Sequence, residues 1–292
     1  MGSLANRGVS TPFCDWLTVT VPEEDGPTLL DSVRTSILAA GGRPNVKGWW
    51  LGEGSIYAAP NHRVFILSLS GGALEALRSS GEWLDFLSAV SGQPHRVTRL
   101  DVAYDTGEDA PEVLPLLEAR GHRGELRLTR KTVSPSAVRW QRSMGPCGRV
   151  SGTVYTGRRG RVRVLARVYD KRAERWDAGK GDPGVPWTRY ELELSVDGMT
   201  LRDAYDPAAL WWAYGSDLVG IDRPSGVPEW EPHGQGYSLP PARERSLREV
   251  MERRVEQCTE LDALRGLAEA MGEGGRMALR RLLLQRVGLS ES

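Results

Sequence analysis

Residues 97–105 read VTRLDVAYD, a run in which polar and apolar side chains alternate. In a strand of period two, Arg99, Asp101, Ala103 and Asp105 share one face, and Leu100, Val102 and Tyr104 point to the other. The same alternation recurs twice, in LARVYDK at 165–171 and TRYELEL at 188–194. We therefore predict three strands that each present an apolar side to a core and a polar side to a continuous charged floor.

The flanking sequence predicts an α+β fold. A first strand is expected at 15–21 (DWLTVTV), and strand-like runs separated by Gly, Pro and Asn follow at 46–51, 55–59 and 63–70. Later strands are expected at 124–128 and 153–156, with helices at 28–40, 71–90, 112–120 and 200–214. This order predicts a mainly antiparallel curved sheet with helices on one face. The order of strands and helices is similar in the two halves of the chain, which suggests that the halves are pseudo-repeated.

The last 70 residues differ in composition from the rest. Five prolines between residues 222 and 241 indicate a linker, and the apolar spacing over 242–292 predicts a helical C-terminal region. We expect this appendage to be separable from the sheet domain at 12–221.

Composition excludes several classes of protein. No stretch approaches the roughly 20 apolar residues that span a bilayer, and residues 1–11 lack the apolar core of a secretory signal. Three widely spaced cysteines indicate neither a disulfide framework nor a zinc site. We expect a cytoplasmic protein that does not associate with membranes.

Charge is distributed unevenly along a chain whose formal net charge is zero. Residues 121–175 hold 15 Arg or Lys and three acidic residues, a net charge of +12. Such a segment favours a phosphate-binding surface, although an evenly solvated Arg-rich surface is the alternative. The pairs Trp49–Trp50 and Trp211–Trp212 could stack on bases, but packing in or beside the core is the preferred interpretation.

The polar faces of the three strands carry candidate chemistry. Asp101 with Glu191 or Glu193 would supply the hard oxygen ligands that Mg²⁺ or Mn²⁺ prefers. Tyr169 is a candidate nucleophile, whose phenol needs a nearby cation because its ordinary pKa is about 10. Two cations, Arg167 and Lys171, flank it at two residues' distance on the same predicted face. Alternating Arg and Glu is also typical of a solvated sheet face with ion pairs.

Together these segments resemble the replication initiation factor family, the initiators of rolling-circle plasmids and some phages. The matching motifs occur in the expected order within about residues 13–215: CDWLTVTV, VTRLDVAYD, GTVYTGRRG, ARVYDKRAE and WTRYELELS. Relaxases of certain integrative conjugative elements belong to the same family.

The resemblance implies a nicking and strand-transfer domain over residues 12–221. It would cleave one DNA strand at an origin, at a single-stranded or cruciform site, and become joined to the 5′ phosphate. Tyr169 would be the nucleophile, with Tyr155 as second choice, and Lys171 and Arg167 would stabilise phosphate charge. Asp101 and Glu191, with Glu193 as a third possibility, would bind Mg²⁺ or Mn²⁺. A host helicase and a second subunit are further candidate partners.

The motif GTVYTGRRG continues here into a longer basic run than the family usually has. Its arginines are expected to hold the DNA backbone, since such contacts set register and affinity without reading bases. They are Arg158, Arg159, Arg161 and Arg163.

Two other functions fit the same residues. A metal-dependent nuclease would hydrolyse DNA without a covalent step. A non-catalytic DNA-binding regulator would bind without cleaving. The presence of Asp101, Tyr169, Lys171 and Glu191 together argues against an inactivated protein.

Overall fold

The computed structural model describes residues 11–61, 63–128, 131–146, 148–157 and 163–233. The first half of this part contains β1 (Phe13–Pro22), α1 (Gly26–Ala39), β2 (Arg43–Asn45), β3 (Gly48–Leu51), β4 (Gly54–Asn61), β5 (Val64–Ser70), α2 (Gly71–Ser80), α3 (Trp83–Ser91) and β6 (Arg96–Thr106). The second half contains α4 (Ala110–His122), β7 (Arg127–Leu128), β8 (Lys131–Thr132), β9 (Val138–Met144), β10 (Val150–Thr156), β11 (Val164–Asp170), α5 (Lys171–Asp177), β12 (Thr188–Leu194), α6 (Leu201–Tyr205) and α7 (Ala208–Val219).

Ten strands form one antiparallel sheet, in the order β2-β3-β4-β5-β1-β6-β12-β11-β10-β9. The strands β1–β6 make up one side of this sheet and β9–β12 the other. The two sides meet where β6 pairs with β12, with Tyr104 opposite Tyr190. The predicted α+β fold with a mainly antiparallel curved sheet is confirmed.

One face of the sheet is apolar and packs against the helices. Strand residues such as Leu17, Leu100 and Leu192 join residues of α1–α4, α6 and α7 in a single buried core. Alternation explains this, because most side chains that β1, β6 and β12 direct to this face are apolar. Trp211 of α7 is fully buried there and stacks on Tyr104, with ring centroids 5.7 Å apart.

Two predicted helices are each divided in the structure. The helix expected at 71–90 ends at Gly81, whose φ of 84° is a left-handed conformation that glycine adopts readily, and resumes as α3. The helix expected at 200–214 forms α6 and then α7, with Pro207 directly before α7. Proline lacks the N–H that a continuous helix requires.

Some strands also differ from the prediction. The strand expected at 165–171 ends at Asp170, because the Asp170 carboxylate accepts a hydrogen bond from the Ala173 N–H and caps α5. Lys171 therefore begins a helix. The strand expected at 124–128 is reduced to Arg127–Leu128, and β9 was not predicted at all.

The predicted C-terminal helical region falls mostly outside the described residues, which end at 233. Within the described part, no helix is long and apolar enough to span a bilayer.

Candidate active site

The opposite face of the sheet gathers the residues singled out from the sequence. Strand pairing places Arg167 of β11 opposite Glu191 of β12, and Glu193 opposite Asp101 of β6. Tyr169 follows Arg167 by two residues and shares its face. Because directly opposed side chains point to the same side of a sheet, these five side chains form one polar cluster.

Asp101 is a deeply buried carboxylate of this cluster, with 1% of its surface exposed. Arg99 donates two hydrogen bonds to it, at 2.7 and 2.6 Å, and Arg167 approaches it at 3.5 Å. Burial raises the pKa of Asp101, and the hydrogen bonds from Arg99 oppose that rise. Arg99 also lies 3.1 Å from Glu193, so one guanidinium holds two of the predicted metal ligands.

Glu191 is buried to the same extent and makes different contacts with its two oxygens. Oε1 forms a short ion pair with the guanidinium of Arg167, and Oε2 accepts a hydrogen bond from Tyr169. Burial raises the pKa of Glu191 to about 7; Asp15 and Asp101 add to the rise and Arg167 opposes it. A carboxylate whose pKa is raised in this way accepts a proton more readily than an ordinary glutamate.

The hydroxyl of Tyr169 donates to Glu191 Oε2 at 3.3 Å. Burial and the charge of Glu191 hold the pKa of Tyr169 well above its usual value, while Arg189 and Arg167 act in the opposite direction. The flanking cation Arg167 does lower this pKa, but burial raises it by more. The charge of Arg167 is shared with two carboxylates, and desolvation of the phenolate dominates.

Lys171 occupies a different position from the one predicted. It begins α5 rather than extending β11, and its Nζ pairs with Glu174 at 2.7 Å. The same Nζ lies 5.7 Å from the centroid of the Tyr169 ring, a cation–π contact. Lys171 thus remains beside the tyrosine, over its ring.

A pocket of about 380 Å³ opens beside this cluster. Its walls include Arg167, Tyr169 and Tyr155 from the sheet and Glu174 from α5, which borders the polar face. Tyr155 is partly exposed, and the guanidinium carbon of Arg139 lies 5.1 Å from its ring centroid. Both candidate nucleophiles therefore reach the same space.

The sequence placed Arg189 on the polar face but gave it no role. Its guanidinium donates to both oxygens of Asp105, at 2.7 and 2.8 Å, and lies 3.3 Å from Asp15. The ring of Phe13 lies 5.0 Å away and that of Trp187 6.0 Å away. Alternation in the sequence suggests that Arg189 and Asp105 share a face. That they form a pair could be seen only from the register of β12 on β6 in the structure.

Removal of Asp105 should show how much this ion pair stabilises the fold. Asp105→Ala leaves the guanidinium of Arg189, 7% exposed, without its bidentate partner, and we expect a loss of about 3–5 kcal/mol in the free energy of unfolding. The matched control is Asp197→Ala, which removes an exposed carboxylate paired with Arg96 and Arg163 and should cost about 1 kcal/mol or less. Urea unfolding measures both; equal losses would contradict a structural role for the buried pair.

Of the four arginines expected to grip DNA, Arg158, Arg159 and Arg161 lie outside the described residues. Arg163 is described; it is exposed and pairs with Asp197 at 2.5 Å. Their role in DNA binding stays a prediction.

The donor set suits a hard divalent cation bound through two carboxylates. Among the described residues, no three His, Cys, Asp or Glu side chains are grouped to hold an ion by themselves. Asp101 and Glu191 are nevertheless neighbours, because one nitrogen of Arg167 contacts both. Mg²⁺ is commonly bound by one or two carboxylates together with waters and substrate phosphates, so these residues fit it.

Comparison with known proteins shows a similarity in the central part of the chain. Residues 95–203 match the family model described as replication initiation factor. No curated protein matches the sequence. Among solved structures, the chain is similar to a rolling circle replication initiator protein from Geobacillus stearothermophilus, with 17% identity over 63% of this chain and 74% of that one and a TM-score of 0.40. It is also similar to DynU16, from the dynemicin biosynthetic locus, with 15% identity over 70% of this chain and 97% of that one and a TM-score of 0.20.

The fold and the site define an α+β protein whose antiparallel sheet carries a tyrosine, three buried carboxylates and several arginines on its polar face. Over residues 95–203 the resemblance to the replication initiation factor family is confirmed. That stretch contains four of the five motifs of the resemblance and leaves out CDWLTVTV.

Proposed function

We propose that this protein initiates rolling-circle replication by nicking and rejoining one DNA strand through a covalent phosphotyrosine. The observation that carries the proposal is the contact of Tyr169 with Glu191 beside Arg167, on the wall of an open pocket. All three residues lie in the stretch that matches the replication initiation factor family. Covalent transfer suits this task because the energy of the phosphodiester bond is kept for rejoining.

Glu191 is the general base of the proposed reaction. The raised pKa of Tyr169 keeps its phenol protonated, so the hydroxyl must lose its proton as it attacks. Glu191 Oε2 accepts that proton through the existing hydrogen bond. A bond forms between Tyr169 Oη and the phosphorus, and the bond from phosphorus to the 3′ oxygen breaks. That oxygen takes up a proton from water and leaves as a 3′ hydroxyl.

Arg167 is the residue best placed to bind the scissile phosphate. Its guanidinium lines the pocket next to Tyr169, and its buried Nε has no hydrogen-bond partner among the described residues. A buried donor without a partner is costly, and a phosphate oxygen would satisfy it. Lys171, over the Tyr169 ring, adds positive charge on the other side.

Asp101 and Glu191 would hold the divalent cation, with Glu193 as a further carboxylate on the same face. When bound, a cation of this kind polarises a phosphate and stabilises the charge that develops on it. In the protein itself, Arg99 and Arg167 hold these carboxylates in place.

A single-stranded oligonucleotide carrying the origin tests the proposal. With Mg²⁺ present, we expect a protein–DNA adduct that survives denaturant, together with a free 3′ hydroxyl on the released strand. Cleavage without an adduct would identify a hydrolytic nuclease instead. Binding without any cleavage would identify a non-catalytic regulator.

A further inference from the structure

The polar face continues past the candidate active site, across β1, β5 and β4. Arg99 of β6 lies opposite Thr18, Thr18 opposite Ser68, and Ser68 opposite Tyr57. The hydroxyls of Thr18 and Ser68 are 2.9 Å apart, which fits side chains on one face. This line of residues therefore connects Arg99, which holds Asp101, with the N-terminal edge of the sheet.

Three aromatic side chains lie along this face. Trp16 donates its indole N–H to Thr18 at 3.0 Å, and the guanidinium carbon of Arg99 lies 5.0 Å from its ring. Tyr57 is 40% exposed. Trp50 is 56% exposed. It shares the face of Tyr57, because Tyr57 lies opposite Gly48 and Trp50 is two residues further along the same strand. We refer to Trp16, Tyr57 and Trp50 as the aromatic row.

The core does not account for the exposure of Tyr57 and Trp50. Trp49 packs against the core, whereas the side chain of Trp50 points to the other face of β3, as alternation requires. Small hydroxyl residues separate the aromatic rings along the sheet. The exposed Arg43 lies opposite Trp50 at the far end. Exposed rings among small polar groups, with arginines at both ends, have the chemistry of a surface for unpaired nucleic acid.

We propose that the aromatic row binds unpaired DNA by stacking its bases, and so guides the strand into the candidate active site. From β1 to β3 the row spans three strand spacings, roughly 14 Å. Stacking is tolerant of sequence, since every base has an aromatic face. That the bound DNA strand is the one that is nicked rests on the proposed function. Binding to the aromatic row itself requires no cleavage.

Affinity for a labelled oligothymidylate of about 12 nucleotides, a length within the usual site sizes, tests the row in the full-length protein. Trp50→Ala should weaken binding about five- to a hundredfold, the range for loss of one base–aromatic stack, and Tyr57→Ala should act in the same direction. Trp50→Phe keeps an aromatic face and should bind within about threefold of the unmodified protein. Tyr205→Ala removes a side chain that is 54% exposed on α6 and is the matched control, with no change expected.

Two further readouts separate stacking from a general loss of structure. Trp50→Ala removes no phosphate contact, so the slope of log affinity against log salt should stay the same. Its affinity for duplex DNA should be unchanged, and its melting temperature should match that of Trp50→Phe. Normal oligothymidylate binding by Trp50→Ala, or an equal loss for duplex, would overturn the proposal.

Nicking is assayed separately on the same preparations. If the unmodified protein never cleaves but Trp50→Ala binds the oligothymidylate weakly, the result contradicts the proposed nicking activity and supports DNA binding by the aromatic row. If the unmodified protein cleaves and Trp50→Ala binds normally, the row alone is wrong.

Discussion

Tyr169→Phe should abolish formation of the protein–DNA adduct and lower the rate of nicking about a thousandfold or more, as expected when a nucleophile is removed. The Phe ring fills the same space and keeps the cation–π contact with Lys171. Only the hydroxyl that donates to Glu191 is lost. Affinity for single-stranded DNA should therefore stay within a few-fold. Adduct is measured on denaturing gels and affinity by anisotropy.

Tyr155→Phe is the matched control for this substitution. Its ring borders the same pocket and stacks with Arg139, but the contact with Glu191 belongs to Tyr169. We expect the Tyr155 variant to keep most of its nicking activity. The reverse pattern, with adduct from the Tyr169 variant and none from the Tyr155 variant, would assign the nucleophile to Tyr155.

The sequence was sufficient to predict which residues share the polar face. In the stretches that carry Asp101, Arg167, Tyr169 and Glu191, side chains alternate between the two faces, and a strand that packs on one side has to place every second residue on the other. Asp101, Arg167, Tyr169 and Glu191 were therefore expected to share one floor, and strand pairing brings them together.

The contacts within that face could not be predicted, because they depend on register. A shift of one residue between β12 and β6 would separate Arg189 from Asp105 and place other groups opposite each other. The two neighbouring tryptophans, Trp49 and Trp50, show the same limit. One of them had to face away from the core, but only the position of β3 in the sheet shows which.

The pKa of Tyr169 required the structure for a different reason. The sequence shows the neighbouring cations Arg167 and Lys171, but it does not show how deeply Tyr169 is buried. It also does not show that Asp170 caps α5, so that Lys171 begins a helix instead of extending β11. Desolvation outweighs the nearby positive charge and raises this pKa. The tyrosine therefore needs a base, and Glu191 is in contact with it.

Asp101→Asn and Glu191→Gln should each lower nicking by about a hundredfold or more in saturating Mg²⁺. A neutral amide is a much weaker ligand for a hard cation, and even changes around a metal ligand commonly cost about 10- to 100-fold. Glu191→Gln also removes the proposed base for Tyr169, so adduct formation should fail with it at every Mg²⁺ concentration. Nicking rates measured across a Mg²⁺ titration test both substitutions.

Asp105→Asn is the matched control, because it separates metal binding from the loss of a buried ion pair. Asp101 and Asp105 lie on the same face of β6, both are buried, and each receives two hydrogen bonds from one arginine. Both asparagine variants should therefore lose stability, and rates are compared at a temperature where both remain folded. Asp105→Asn should then nick DNA with an ordinary Mg²⁺ dependence, while Asp101→Asn should not. Equal loss of activity in the two variants would indicate that the ion pairs matter only for the fold. Full activity of the unmodified protein in excess chelator would show that the mechanism needs no metal.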